Sequence, residues 1–359
     1  MKKRTVSHFI IVVLITVLLS AASNICIVCF ADTGSSFEYK NFEDPSKYAR
    51  ALKRVMINVY NAFNGKTIDE KTIPIPGLVE TCIEVDGISS SSDQYVPQGL
   101  CRAGNYMLVT AYDVRKKHNS VIYAVDMNKM ELVSTLTMPN KFHAGGIAYD
   151  GANIWMTGET SDRYEDSPFV QYMSYETLLR HLKKPVSEVK ASELSPYIYI
   201  KNKPSFLEYD RGVLWVGTYI GRKSTSDSYM YGYDIIGEPG NRKLNTIMYS
   251  VIDGIDSSSQ GADIVGDYLY VSSSYNSASR LKTSFITKYN LKRSRTGTGD
   301  YHVEGHEVKR VEVPKMNEEI IIDGSTVYIN FEAGASYWKQ ALVKTDRVLA
   351  VDLSLWGKR

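Results

Sequence analysis

Five segments of this chain lie over one another without a gap: YMLVTAY (106–112), NIWMTGE (153–159), VLWVGTY (213–219), YLYVSSS (268–274) and TVYINFE (326–332). Each is apolar or alternating over seven residues, the pattern of a buried or half-buried strand. Their third positions are Leu108, Trp155, Trp215, Tyr270 and Tyr328, so a large side chain points the same way five times. A second strand-like stretch precedes each, starting at Gln98, Gly145, Ser205, Gln260 and Glu318. The junctions AGN, DGAN, DRG, GD and DGS carry the glycine and aspartate that close a tight hairpin with positive φ. The chain therefore repeats a β-hairpin five times, at spacings of 47, 60, 55 and 58 residues.

A third strand follows in each repeat, ending on Asp126, Ser174, Asp234, Asn290 and Asp352, where an Asx or serine turn favours another reversal. Fourth strands are expected in ELVSTLTM, YIYI, NTIMYSV and EVKRVEV. The fifth repeat lacks one, and the missing strand is expected from the other side of the array, in VETCIEV (79–85). Four-stranded meanders whose last sheet is completed from the N-terminal side describe a ring without open edges. The expected fold is all-β, a five-bladed β-propeller closed by an N-terminal strand, over residues 79–359 with an insertion at 160–196. The insertion contains YETLLRHL, which reads as a short helix.

Outside the ring, Asp44 and Pro45 open a helix expected over 45–63, with Tyr48, Leu52, Val55, Met56, Val59 and Phe63 on one apolar stripe. It belongs to an N-terminal segment, 32–78. Residues 1–31 have a basic start, an apolar run from Phe9 to Leu19 and small residues up to Ala31, the layout of a secretory signal peptide cleaved after Ala31. The alternative is an uncleaved membrane anchor, with Ser20, Ser23 and Asn24 interrupting it. Loss of Lys2, Lys3 and Arg4 takes the formal charge from +2 to −1, and a near-neutral chain is a poor nucleic-acid binder. The expectation is a secreted or cell-surface monomer whose Cys82 and Cys101 are free thiols, since the repeats place them on different strands.

In such a ring the innermost strands start, and the second strands end, on one face around the axis. That gathers Gln98, His143, Ser205, Gln260, Glu318 and Glu319 with Tyr112, Asp113, Glu159, Tyr219, Tyr275 and Glu332 into a polar, aromatic bowl. Convergent polar groups in a concavity point to ligand binding. Glu318, Glu319 and His143 are the candidate catalytic residues: the two glutamates, facing Glu332 and Asp113, as acid and base, and His143, among carboxylates, expected to stay protonated. Trp338 joins the tyrosines as a stacking surface near the bowl.

Other motifs are weaker. HVEGH (302–306) reads as a solvated hairpin tip rather than a zinc site, and DGIDSSSQGAD has irregular aspartates without the glutamate of an EF-hand. No cofactor or metal is therefore expected, and calcium on the axis is permitted by the composition without being indicated by it. No phosphate loop or nucleophile elbow occurs.

With the lines YVPQGL, SVIYAVD, HAGGIAYDGANIWM, KPSFLEYDRGVLWVG and SSQGADI in view, residues 79–358 resemble secreted bacterial β-propeller proteins. That resemblance implies the architecture and says little of activity. More distantly, QGL at 98–100 is similar to the opening of the first blade in five-bladed glutaminyl cyclotransferases. There the following strand leads to a glutamate, whereas here it ends TAYD, with Tyr112 and Asp113. The first functional reading is a binder of a small polar ligand, glycan or peptide. The alternatives are an enzyme using the same bowl, glycoside hydrolase-like or glutaminyl cyclase-like, and a protein-interaction scaffold.

Overall fold

The computed structural model describes residues 73–78, 80–162, 165–221, 228–247, 249–274, 284–295, 301–338 and 345–353. All lie in the unit Tyr39–Arg359, while the unit Met1–Glu38, the expected helix 45–63 and Tyr275 fall outside the described residues. No helix among the described residues is long and apolar enough to cross a membrane.

The five hairpins form where the repeats place them. Their turns sit on Gly104, Gly151, Gly212, Gly266 and Gly324, all at positive φ between 60° and 92°, a backbone region that glycine enters without steric cost. The first blade is Tyr95–Ala103, Tyr106–Asp113, Val121–Asp126 and Glu131–Thr137; the second is Ile147–Tyr149, Asn153–Asp162, Glu165–Ser174 and Ile198–Tyr199. Phe206–Asp210, Val213–Gly217, Ser228–Ile236 and Ser250–Ile255 make the third, and Ser259–Val265, Tyr268–Ser273, Ser284–Arg295 and Tyr301–Val313 the fourth. The fifth is Asn317–Asp323, Thr326–Phe331 and Arg347–Asp352, completed by Ile73–Pro74. Each innermost strand packs beside two others, first to second and so on round to the fifth and back, so the ring is closed.

Side-chain alternation along the strands puts the core between blades rather than within them. Ile154 and Met156 pack with Leu108, Ile122 and Leu136 of the first blade, while Trp155 between them packs with Leu207, Leu214 and Val216 of the third. Phe206, Trp215 and Met230 meet Ala262, Leu269 and Val271 of the fourth in the same way. All five third-position side chains, Leu108, Trp155, Trp215, Tyr270 and Tyr328, are buried.

The closing strand is not the expected one. Ile73 and Pro74 pair antiparallel with Val348 and Arg347, and the amide of Ile75 donates to the Asp346 carbonyl at 3.0 Å. Thr81–Val85, expected in that place, instead pairs with Ile88–Ser92 through a two-residue turn. The reason is local: Asp86 and Gly87 have φ of 50° and 75°, both positive as the favoured two-residue hairpin turn requires. This hairpin rests on the first blade, where Thr81 and Tyr123 hydroxyls meet at 2.6 Å and the Glu84 amide donates to Thr137 Oγ1 at 3.2 Å.

Three further expectations change. HVEGH lies inside the strand Tyr301–Val313 rather than at a hairpin tip, and its backbone pairs in parallel with Val251–Asp253, fusing the outer edges of the third and fourth blades. The short helix forms at Tyr175–His181, capped by Ser174, but the segment after it returns to the first blade, where Val186–Glu188 adds a parallel fifth strand. Cys101 is a buried free thiol, as expected, whereas Cys82 is disulfide-bonded.

Candidate functional site

Near the start of the innermost strands some backbone groups have no ladder partner and need side chains to satisfy them. Thr110 Oγ1 accepts from the Gly99 amide at 2.8 Å and donates to the Ala144 carbonyl of the next blade at 2.6 Å. Thr157 Oγ1 accepts from Gly146 at 2.8 Å. Asn330 of the fifth blade donates to the Gln98 carbonyl of the first at 2.8 Å, stitching the ring at its closure. Backbones approach so closely here that a Cβ on Gly145 would lie 2.5 Å from the Ser205 carbonyl oxygen.

Glu319 belongs to this stitching. Its Oε1 accepts from the Ala262 amide at 2.7 Å and from its neighbour Ile320 at 3.1 Å, and it is buried away from the bowl. Asp113 also turns aside. Its carboxylate accepts from the Arg115 amide at 2.7 Å, the His118 amide at 3.1 Å and His118 Nδ1 at 2.6 Å, building the loop that follows its strand. Asp113 and His118 line a separate cavity of about 600 Å³.

The remaining described residues converge. Gln98, Tyr112, His143, Glu159, Ser205, Tyr219, Gln260, Glu318 and Glu332 line one cavity of about 740 Å³. Two of them are buried carboxyls. Glu318 Oε1 accepts from Gln260 Nε2 at 3.2 Å, and Glu332 Oε2 accepts from the indole of Trp338 at 3.1 Å. The turn Ser336–Trp338 sets that indole in place, its last amide bonded to the Ala335 carbonyl at 3.0 Å. Glu332 Oε1 is buried without a full hydrogen bond, and the Gln98 side chain is the further polar group acting on this carboxyl.

Burial pushes the Glu332 carboxyl up to about 8, against hydrogen bonding from the Trp338 indole and the Gln98 side chain, which favours its charged form. Burial, then the proximity of Glu332 and Glu319, holds Glu318 well above the usual carboxylate range. The Tyr112 phenol is raised by burial and by Glu332 and Glu318. Burial and mutual repulsion thus favour the protonated form of both carboxyls, a form that donates as well as accepts hydrogen bonds.

His143 departs from expectation. Its ring packs on Tyr112 with centroids 4.3 Å apart, and it is pushed down to about 4 rather than raised. The cavity admits water to the ring, yet protein crowds it on most sides, and Lys203 and Lys116 add like charge. Carboxylates were expected to dominate its surroundings; burial does, and the charges that add to it are those of Lys203 and Lys116.

Those lysines are what sequence reasoning missed. Lys116, Lys141 and Lys203 line the bowl with Phe142, Tyr337 and Trp338. A signal was present: NKFH (140–143) and NKPS (202–205) set a lysine two residues before the bowl residues His143 and Ser205. Lys203 Nζ pairs with Glu159 Oε1 at 3.2 Å.

No family model matches this sequence, and no curated protein does. Solved structures do match it. One is a chain of hydrazine synthase from Kuenenia stuttgartiensis, 11% identical, covering 75% of this chain and 90% of that one with a TM-score of 0.32. A likeness that loose carries no argument about the site. Among the described residues, no group of three His, Cys, Asp or Glu side chains is arranged to hold a metal ion.

Proposed function

We propose that this chain is a secreted propeller that binds a small polar ligand, glycan or peptide end in its axial bowl. One observation carries the reading: at the floor of a cavity of about 740 Å³, the buried Glu332 carboxyl is held by Trp338 and more loosely by the Gln98 side chain, leaving Oε1 without a full hydrogen bond. A buried polar atom left unsatisfied costs about 1–3 kcal/mol, which a ligand group placed there recovers. Tyr112, Tyr219, Tyr337 and Trp338 supply apolar faces around it. The test is calorimetric screening of saccharides and short peptides against the native protein and Glu332→Ala. Binding that the variant loses supports the reading, and a ligand bound equally well by both would defeat it.

An enzymatic reading has a specific observation in its favour as well. Glu318 and Glu332 are paired buried carboxyls, and an acid held near 8 beside a second carboxyl has the character of a general acid. The pair is then Glu318 with Glu332, not Glu318 with Glu319. Turnover lost in Glu318→Gln with ligand affinity kept distinguishes catalysis from binding.

A further inference from the structure

The bowl has two chemically different levels. Its floor holds the buried Glu318 and Glu332, whose carboxyls are raised by burial, with Gln260, while the exposed Lys116 and Lys141 stand on its wall. Among the described residues neither lysine forms an ion pair, unlike Lys203, whose charge is met by Glu159. Lys116 sits at a φ of 55°, fixed there by its amide bonding the Asp113 carbonyl at 2.8 Å. The loop that Asp113 holds together thus delivers an unneutralised cation into the cavity.

We propose that the ligand of the bowl is an acidic sugar, its ring hydroxyls on the floor and its carboxylate between Lys116 and Lys141. The proposal rests on the bowl being a binding site and adds the class of ligand. A polyhydroxylated ring fits the floor because each hydroxyl both donates and accepts, matching protonated carboxyls and the Gln260 amide. A free amine fits it badly, since it demands ionised carboxylates where burial opposes ionisation. The lysines supply the charge preference, and partly exposed pairs of this kind are modest in strength and weakened by salt.

The experiment is titration calorimetry with D-glucuronate and with D-glucuronamide, its neutral isostere, on the native protein and on Lys116→Met/Lys141→Met. Glucuronate is expected to bind about tenfold more tightly than the amide at low salt, with the preference lost in the double variant. Equal affinity for acid and amide, or a preference that survives the double variant, overturns the acidic-sugar inference and leaves the bowl reading standing. Lysine-dependent capture of the tripeptide Gly-Gly-Ala, compared with its C-terminal amide, overturns the sugar class in favour of a peptide end. Silence with all four probes, together with a native-like response of Glu332→Ala to every ligand screened, overturns both. Thermal unfolding at the native midpoint shows that the double variant remains folded.

Discussion

The indole nitrogen of Trp338 donates to one oxygen of Glu332 at 3.1 Å, and the other oxygen of that carboxyl is buried without a full hydrogen bond. Six residues apart in sequence, the two make the floor of the bowl half satisfied, so a ligand can complete what the fold leaves open.

The same carboxyl ties stability to pH. Raised from 4.5 to about 8 in the folded chain, Glu332 keeps a proton that the unfolded chain has released between those values. Its contribution is therefore fully present below about 4.5 and lost as pH rises through about 8. Glu318 acts in the same direction, as do Asp263 and Asp346, each raised to about 7 by burial. The midpoint of thermal unfolding is expected to be lower at pH 9 than at pH 6, with a shallower slope in Glu332→Gln. An unchanged slope in that variant would remove Glu332 from the account.

Ring closure by Ile73 gives a second prediction. The residue is 1% exposed and pairs with Val348 across the seam of the fifth blade. Ile73→Ala is expected to cost about 2–5 kcal/mol in denaturant unfolding, from lost burial and the cavity left behind. Ile88 pairs with Val85 at the end of the strand that was expected to close the ring and is 71% exposed, so Ile88→Ala is expected to stay within about 0.5 kcal/mol. Equal effects of the two would contradict the assignment of the closing strand.

Glycines near the axis and at the rim differ in kind. A Cβ at Gly146 would lie 2.6 Å from the Leu207 amide nitrogen of the next blade, whereas at Gly151 it would meet nothing within 4 Å and only the φ of +92° opposes it. Gly146→Ala is expected to destabilise by more than about 2 kcal/mol and Gly151→Ala by about 1 kcal/mol. Chemical denaturation of both variants checks the order; a reversal would mean that the blades separate more easily than their packing implies.

His143 offers a spectroscopic test. With its pKa pushed down to about 4 by its surroundings and by Lys203 and Lys116, the imidazole stays neutral through the physiological range. Its ring resonances are expected to hold constant from pH 8 to pH 6 and to move only in acid, and Lys203→Met should shift that transition upward. Titration near the free-histidine value in the native protein would show that the lysines and the crowding do not act on it.

Much of this was legible in the residues themselves. Five turns on glycine, five large third-position side chains and a deficit of one strand follow from period-two alternation and turn chemistry, which are local, and they sufficed for the propeller and for nine of the bowl's residues. The turn at Asp86–Gly87 was equally local and was overlooked, which misplaced the closing strand. Tertiary structure alone decided the rest. Glu318 and Glu319 are adjacent, yet strand alternation sends one into the bowl and the other into the amides of the neighbouring blade. Asp113 follows Tyr112 directly, yet its carboxylate satisfies its own loop. The charge around His143 came from Lys116 and Lys203, brought together from different blades. Side-chain direction and long-range electrostatics depend on which strands become neighbours, and a repeat pattern specifies that neighbours exist without specifying which groups they turn toward each other.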